Sequence, residues 1–182
     1  MTGYFKKLLL LTICAVILVS FPASSRAGSN LSVTGWIRSD GTVSDSSGNA
    51  VDPATVEYLH IGKDVFGLKP QNFADNFPLL IRIDVDRDNS EYTSSDEGIL
   101  FSKNMTRLLA CPAKLNFNDI YIVPSQTETI GINAFKNSQI RQIDLNNVSF
   151  IYKDAFLNCK YLTDVTTDKN LNEISAPGAF SK

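Results

Sequence analysis

The single histidine, His60, lies between Leu59 and Ile61. Hydrolysis built on a histidine needs a nucleophile on one side and an orienting carboxylate on the other, and a zinc site needs several ligands around it. No spacing near His60 supplies either set. Alternation along a strand turns it outward between two inward neighbours, so it is expected as a surface strand residue. Asp84, Asp86 and Asp88 open like a calcium loop, but such a loop wants Gly at its sixth position and Glu at its twelfth. Here those positions hold Asn89 and Ser95. The three carboxylates are expected on one outward face at a solvated strand end, with weak calcium binding as the alternative. Cys159 is expected as a buried, unreactive thiol, and a bond to Cys111 is the alternative. Asn30, Asn104 and Asn147 head glycosylation sequons, which matter only in a eukaryotic secretory pathway. With no nucleophile–base pair and no ligand cluster, no enzyme, cofactor or metal is expected. The chemistry left to these residues is recognition.

The first 27 residues stand apart from the rest. Lys6 and Lys7 form a short basic leader, Leu8–Phe21 is an apolar run, and Ser25 and Ala27 place small residues before Gly28. This reads as a secretory signal peptide over 1–27. As a membrane anchor the run is short of the ~18 residues a span needs. Without it, 14 basic and 19 acidic residues remain, a net charge of −5. That balance argues against nucleic acid, whose phosphates demand a basic patch. The mature chain is expected to be secreted or at the cell surface and not membrane-spanning, in a compartment that permits disulfides.

The elements that must carry the recognition residues are written as a repeat. The pattern apolar, two any, apolar, one any, apolar occurs five times: Val56-Leu59-Ile61, Leu80-Ile83-Val85, Phe117-Ile120-Ile122, Ile140-Ile143-Leu145 and Leu162-Val165-Thr167. A second element follows most of these strands and ends in a small residue plus Phe: Asn72-Phe73, Ala134-Phe135, Ala155-Phe156 and Ala179-Phe180. A unit of this size cannot bury its own apolar face, so the units stack, with the Phe rings in a ladder. Leu59, Ile83, Ile120, Ile143 and Val165 are expected inward. The long interval between the second and third strands is an insertion, read as a β-hairpin at about 92–112 that projects from the stack. Residues 28–55 read as an irregular N-terminal segment whose Trp36 covers the first repeat. The chain given ends two residues beyond Phe180, which would ordinarily pack on a following repeat. A truncated product, an end-to-end dimer or a loosely ordered last repeat are the readings of that stop.

The stretches IGINAFKNSQIRQIDL and IYKDAFLNCKYLTDV, with the insertion NSEYTSSDEGILFSKNMTRLLACPA, resemble the BspA-like leucine-rich repeats of secreted and surface proteins. The resemblance covers residues 56–182 and implies a β-rich leucine-rich-repeat solenoid of about five short repeats. It implies an adhesin-like role, with an extracellular or host-cell-surface protein as partner. Ser138 departs from the usual Cys or larger residue, and Asn72 from Ala. Aligning the five strands gives two outward columns: Tyr58, Arg82, Asp119, Gln142 and Asp164, then His60, Asp84, Tyr121, Asp144 and Thr166. These ten are the expected partner-binding residues, because a repeat scaffold holds side chains at a fixed pitch. Weak self-association through the C-terminal repeat is the alternative role.

Overall fold

The computed structural model describes residues 32–167, 173–174 and 179–180. The expected signal peptide and the Asn30 sequon lie outside them. Thirteen short strands carry the fold: β1 (Thr34–Ile37), β2 (Val43–Ser44), β3 (Tyr58–Ile61), β4 (Arg82–Val85), β5 (Tyr92–Ser94), β6 (Leu100–Ser102), β7 (Arg107–Ala110), β8 (Tyr121–Ile122), β9 (Thr129–Ile130), β10 (Gln142–Asp144), β11 (Phe150–Ile151), β12 (Asp164–Thr166) and β13 (Glu173–Ile174). Among the described residues helix is confined to one turn at Phe73–Asn76 and two 3-10 turns. Parallel neighbours share a register. Gly35, Leu59 and Ile83 align at steps of 24 residues, and Tyr121, Ile143 and Val165 at steps of 22. The molecule is the β-rich solenoid that the repeat predicts.

The repeats from β8 onward pass through two sheets, β8 then β9, β10 then β11, β12 then β13. The first-side strands form two blocks, β2-β1-β3-β4 and β8-β10-β12, and the second sheet runs β13-β11-β9-β7-β6-β5. The turns between sheets rely on left-handed residues that are not glycine. Asn133 and Asp154 both have φ 57°, and Asn137 and Asn158 have φ 62° and 58°. Asn and Asp tolerate this region because their short polar side chains bond locally. The turns are tied repeat to repeat: the Phe135 N–H donates to the Ala155 carbonyl at 2.7 Å, and the Phe156 N–H to the Ala179 carbonyl at 2.7 Å. The rings then stack, Phe135 on Phe156 at 5.0 Å and Phe156 on Phe180 at 4.8 Å, nearly parallel in both cases. Thr127 replaces an apolar residue at no cost, since its buried hydroxyl donates to the Met105 carbonyl at 2.8 Å.

Several expectations are corrected. Residues 28–55 are not irregular throughout: β1 is a further repeat strand, in register with β3, and β2 folds back antiparallel on it. Gly35 stands where the pattern wants a large apolar residue, because a Cβ there would meet Val43 Cγ1 at 2.5 Å and Val56 at 3.0 Å. Trp36 points outward beside His60, ring centroids 6.1 Å apart, and does not cover the first repeat. The insertion does not project. Its three antiparallel strands are built into the second sheet, where β7 pairs with β9. Ile99, Leu100, Phe101 and Leu108 are all 0% exposed.

The third strand is out of phase with its expected register. Tyr121 and Val123 are buried, while Ile120 and Ile122 are exposed. The segment Ile120-Tyr121-Ile122-Val123 is apolar in both phases of a strand, so alternation alone does not choose. The choice falls to the Tyr121 ring, which packs 5.4 Å from Phe117 and 6.2 Å from Phe135. Val165 is exposed as well, at 38%, and so is Phe180, at 40%. Phe73 is buried but not in the ladder. It packs edge-on against Phe77 in a separate core.

The described residues form two cores. One spans Ile37 to Ala110, and the other runs from Ile99 to Ala179. β6 serves both: Leu100 and its partner Ala110 face the first, while Ile99, Phe101 and its partner Leu108 face the second. Buried on both faces, β6 is the wall the two cores share.

Candidate functional site

The two outward columns are not continuous. They break between β4 and β8, which do not pair. On the first block, Tyr58 aligns with Arg82 and His60 with Asp84. Arg82 is already engaged, with Nε donating to Asp84 Oδ1 at 2.7 Å and Nη1 to the Asp96 carbonyl at 2.7 Å. Asp84 is thereby taken from a calcium site, and Asp86 Oδ1 accepts the Asp88 N–H at 2.9 Å. Among the described residues no group of three His, Cys, Asp or Glu is placed to hold a metal ion.

On the second block the outward residues are Ile122 beside Asp144 and Thr166, and Ile120, Gln142 and Asp164 in the column before them. Gln142 Nε2 donates to Asp164 Oδ2 at 3.0 Å and Thr163 Oγ1 to the same oxygen at 2.9 Å. The Gln142 bond, then that of Thr163, holds the Asp164 carboxyl below its ordinary range. Asp144 Oδ1 accepts the Asn146 N–H at 2.9 Å and so belongs to the turn. Arg141 lies over the Tyr161 ring at 5.5 Å, the reach of a cation–π contact. Phe117, Asn118, Asp119, Arg141, Gln142 and Tyr161 line a shallow depression of about 310 Å³ at the edge of this face. An aromatic platform beside a guanidinium and amides suits recognition of a protein surface.

Tyr121 is corrected as a partner-binding residue. It is buried, and its hydroxyl has no hydrogen-bond partner among the described residues. Burial, then the nearby Cys111 and Glu97, pushes its pKa well above the ordinary phenol value. Ile120 is corrected in the opposite sense, from core to surface. Asp119 is exposed at the depression, but its expected place beside Gln142 is taken by Ile120. Sequence reasoning missed Ile120, Ile122, Arg141 and Tyr161 on this block, and Ile132, Phe150 and Tyr152 as exposed apolar residues on the second sheet. The signal for Phe150 was its position one before the inward Ile151.

Cys111 and Cys159 are free and buried. Cys159 Sγ donates to the Phe135 carbonyl at 3.0 Å and lies 3.4 Å from Ser138 Oγ. Ser138, the departure from the family pattern, is thus a buried partner for the thiol. Burial raises the Cys159 pKa against the opposing Ser138 bonds, and burial followed by the charge of Cys159 raises that of Cys111. No helix among the described residues is long and apolar enough to cross a membrane.

Parallel strands at a 22–24-residue step, joined by short turns over a stacked ring ladder, define a leucine-rich-repeat solenoid. Residues 112–182 match the BspA type leucine rich repeat region, in six copies. Among solved structures it is similar to a leucine-rich repeat protein from Eubacterium ventriosum, at 21% identity and TM-score 0.51 over 62% of this chain and 36% of that one. It is also similar to the pneumococcal vaccine antigen PcpA, at 29% identity and TM-score 0.54 over 62% of this chain and 27% of that one. The chain therefore spans about a third of the length of these proteins. No curated protein matches the sequence.

Proposed function

We propose that this chain is a non-enzymatic, adhesin-like module that binds an extracellular or host-cell-surface protein, and that it acts secreted or at the cell surface. The observation that carries this reading is the outward face of β8-β10-β12. It sets exposed apolar side chains (Ile122 at 57%, Tyr161 at 53%) among Arg141, Gln142, Asp119 and Asp164 on a rigid, repeat-spaced scaffold. A large apolar contribution flanked by charged groups is the composition of an interface core and rim. The BspA-type repeats, the likeness to a vaccine antigen and the leader at 1–27 support the location. The test is an array of matrix and cell-surface proteins probed with residues 28–182 and with an Arg141→Glu/Tyr161→Ala variant. A hit weakened at least tenfold in the variant is expected. A hit that the variant binds as the parent does would remove this face from the reading.

A second reading, self-assembly, draws on the C-terminal side, where Val165 is 38% and Phe180 40% exposed. It requires concentration-dependent association in sedimentation that Phe180→Asp abolishes.

A further inference from the structure

The solenoid is interrupted at one strand edge. β4 and β8 are successive strands on the first side, yet the hydrogen-bonded order stops at β4 and restarts at β8. The outer edge of β4 is closed. The Ile83 N–H donates to the Gly98 carbonyl at 3.0 Å, and the Val85 N–H to Ser94 Oγ at 3.2 Å. The outer edge of β8 is not. The Val123 N–H donates to the Asp144 carbonyl at 2.9 Å, so Tyr121 and Val123 spend their backbone groups on β10. Alternation turns the N–H and C=O of Ile120 and Ile122 to the other side. Among the described residues neither finds a backbone or side-chain partner there. The side chains of the same two residues are 41% and 57% exposed. Proteins ordinarily blunt such an edge with charge, proline or cover, because it templates pairing with another chain.

We infer that the β8 edge receives an extended segment of the partner protein as an added strand, one that carries both basic and apolar residues on its outward face and apolar residues on its inward face. The inference deepens the binding-module reading and rests on it. The backbone groups of Ile120 and Ile122 ask for a strand, since only an extended backbone offers donors and acceptors at their spacing. Their side chains ask for apolar neighbours on the same face. The charge around the edge selects the rest. Asp96, Glu97 and Asp119 are exposed, and none has an ion pair among the described residues. Arg82, across the break, is held by Asp84 and the Asp96 carbonyl. A second copy docked through the same edge would set Asp119 and Glu97 against their own equivalents, as twofold symmetry requires, and like charges facing across strands repel.

The experiment uses residues 28–182 and a fluorescent six-residue peptide, Lys-Val-Val-Val-Lys-Val, which puts Lys, Val and Lys on one face and Val alone on the other, beside the same peptide N-methylated at alternate amides. Saturable binding is expected, weakened at least tenfold by N-methylation and by Ile122→Lys. Hydrogen exchange of the Ile122 amide should slow at least tenfold on binding. Ile120→Lys repeats the test at a second exposed position. Equal binding of the N-methylated peptide would reduce the contact to charge and overturn the inference. So would absence of binding, an Ile122 amide already protected in the free protein, or a dimer that Ile122→Lys dissolves. A protein partner that binds Ile122→Lys as it binds the parent, but not Arg141→Glu/Tyr161→Ala, would overturn the strand edge and leave the module reading standing.

Discussion

Asn89 shows how one polar residue secures a loop. It is 1% exposed, and its amide donates to the Gly62 and Val65 carbonyls at 2.8 Å each. Its Oδ1 accepts the N–H groups of Glu91 at 2.9 Å and Tyr92 at 2.8 Å. Asn89→Ala leaves four backbone groups without that partner, and an unsatisfied buried group costs ~1–3 kcal/mol. With some groups rewetted, urea unfolding should report a loss of about 3 kcal/mol. Asn89→Asp should fare no better, because it sets a carboxylate against two carbonyls. The two buried thiols make a second residue-scale prediction. In residues 28–182 neither Cys111 nor Cys159 should react with a thiol reagent until the chain unfolds. Their folded pKa values are raised, so the stability they confer is fully present below the unfolded thiol value of about 8.5 and is lost as pH climbs from there toward the folded values. An unfolding titration should therefore show stability falling above about pH 8.5, and less steeply in Cys159→Ser. At this scale the sequence was legible wherever a strand has a single apolar phase, as at Leu59, Ile83 and Ile143. It was not legible at Tyr121, whose phase is set by rings distant in sequence.

At the scale of the repeat, the Phe ladder and the left-handed turns are one device. Phe156 stacks on a ring above and a ring below, whereas Phe180 has one stacked face and 40% exposure. Phe156→Ala should cost ~3–5 kcal/mol, as a fully buried aromatic truncation does, and Phe180→Ala should cost roughly a third of that. Differential denaturation of the two variants compares them. Asn137, at φ 62°, should accept Gly with little change. Asn137→Val should lose about 2 kcal/mol, since a β-branched residue has no comfortable left-handed well. These turn positions were legible in principle from the Asn/Asp that flanks Ala134-Phe135 and Ala155-Phe156 on both sides. β1 was hidden for a physical reason: Val43 and Val56 fill the space of the expected side chain, so the strand shows Gly35 where a leucine would have announced it. The insertion was legible as a hairpin but not as a wall, because burial on both faces of β6 depends on what lies on either side.

For the whole molecule that wall decides cooperativity. Leu100 fills the first core and Phe101 the second from adjacent positions, so neither core can open without disturbing the other. Urea unfolding followed by Trp36, which sits on the first block, should coincide with unfolding followed by the thiol of Cys159. Phe101→Ala should separate the two, the thiol becoming reactive at lower urea. Two distinct transitions in the parent would sink the idea. The stacked repeats carry a consequence of another kind, for the gene. Between Ile143 and Val165 each unit presents the next with the same strand register, the same turn geometry and a ring at nearly the same distance. A tandem duplication of one such 22-residue unit would find its mould already built on both sides. Repeat number can thus drift between lineages by simple copying, whereas the insertion, with two unlike cores to satisfy, has to be inherited whole.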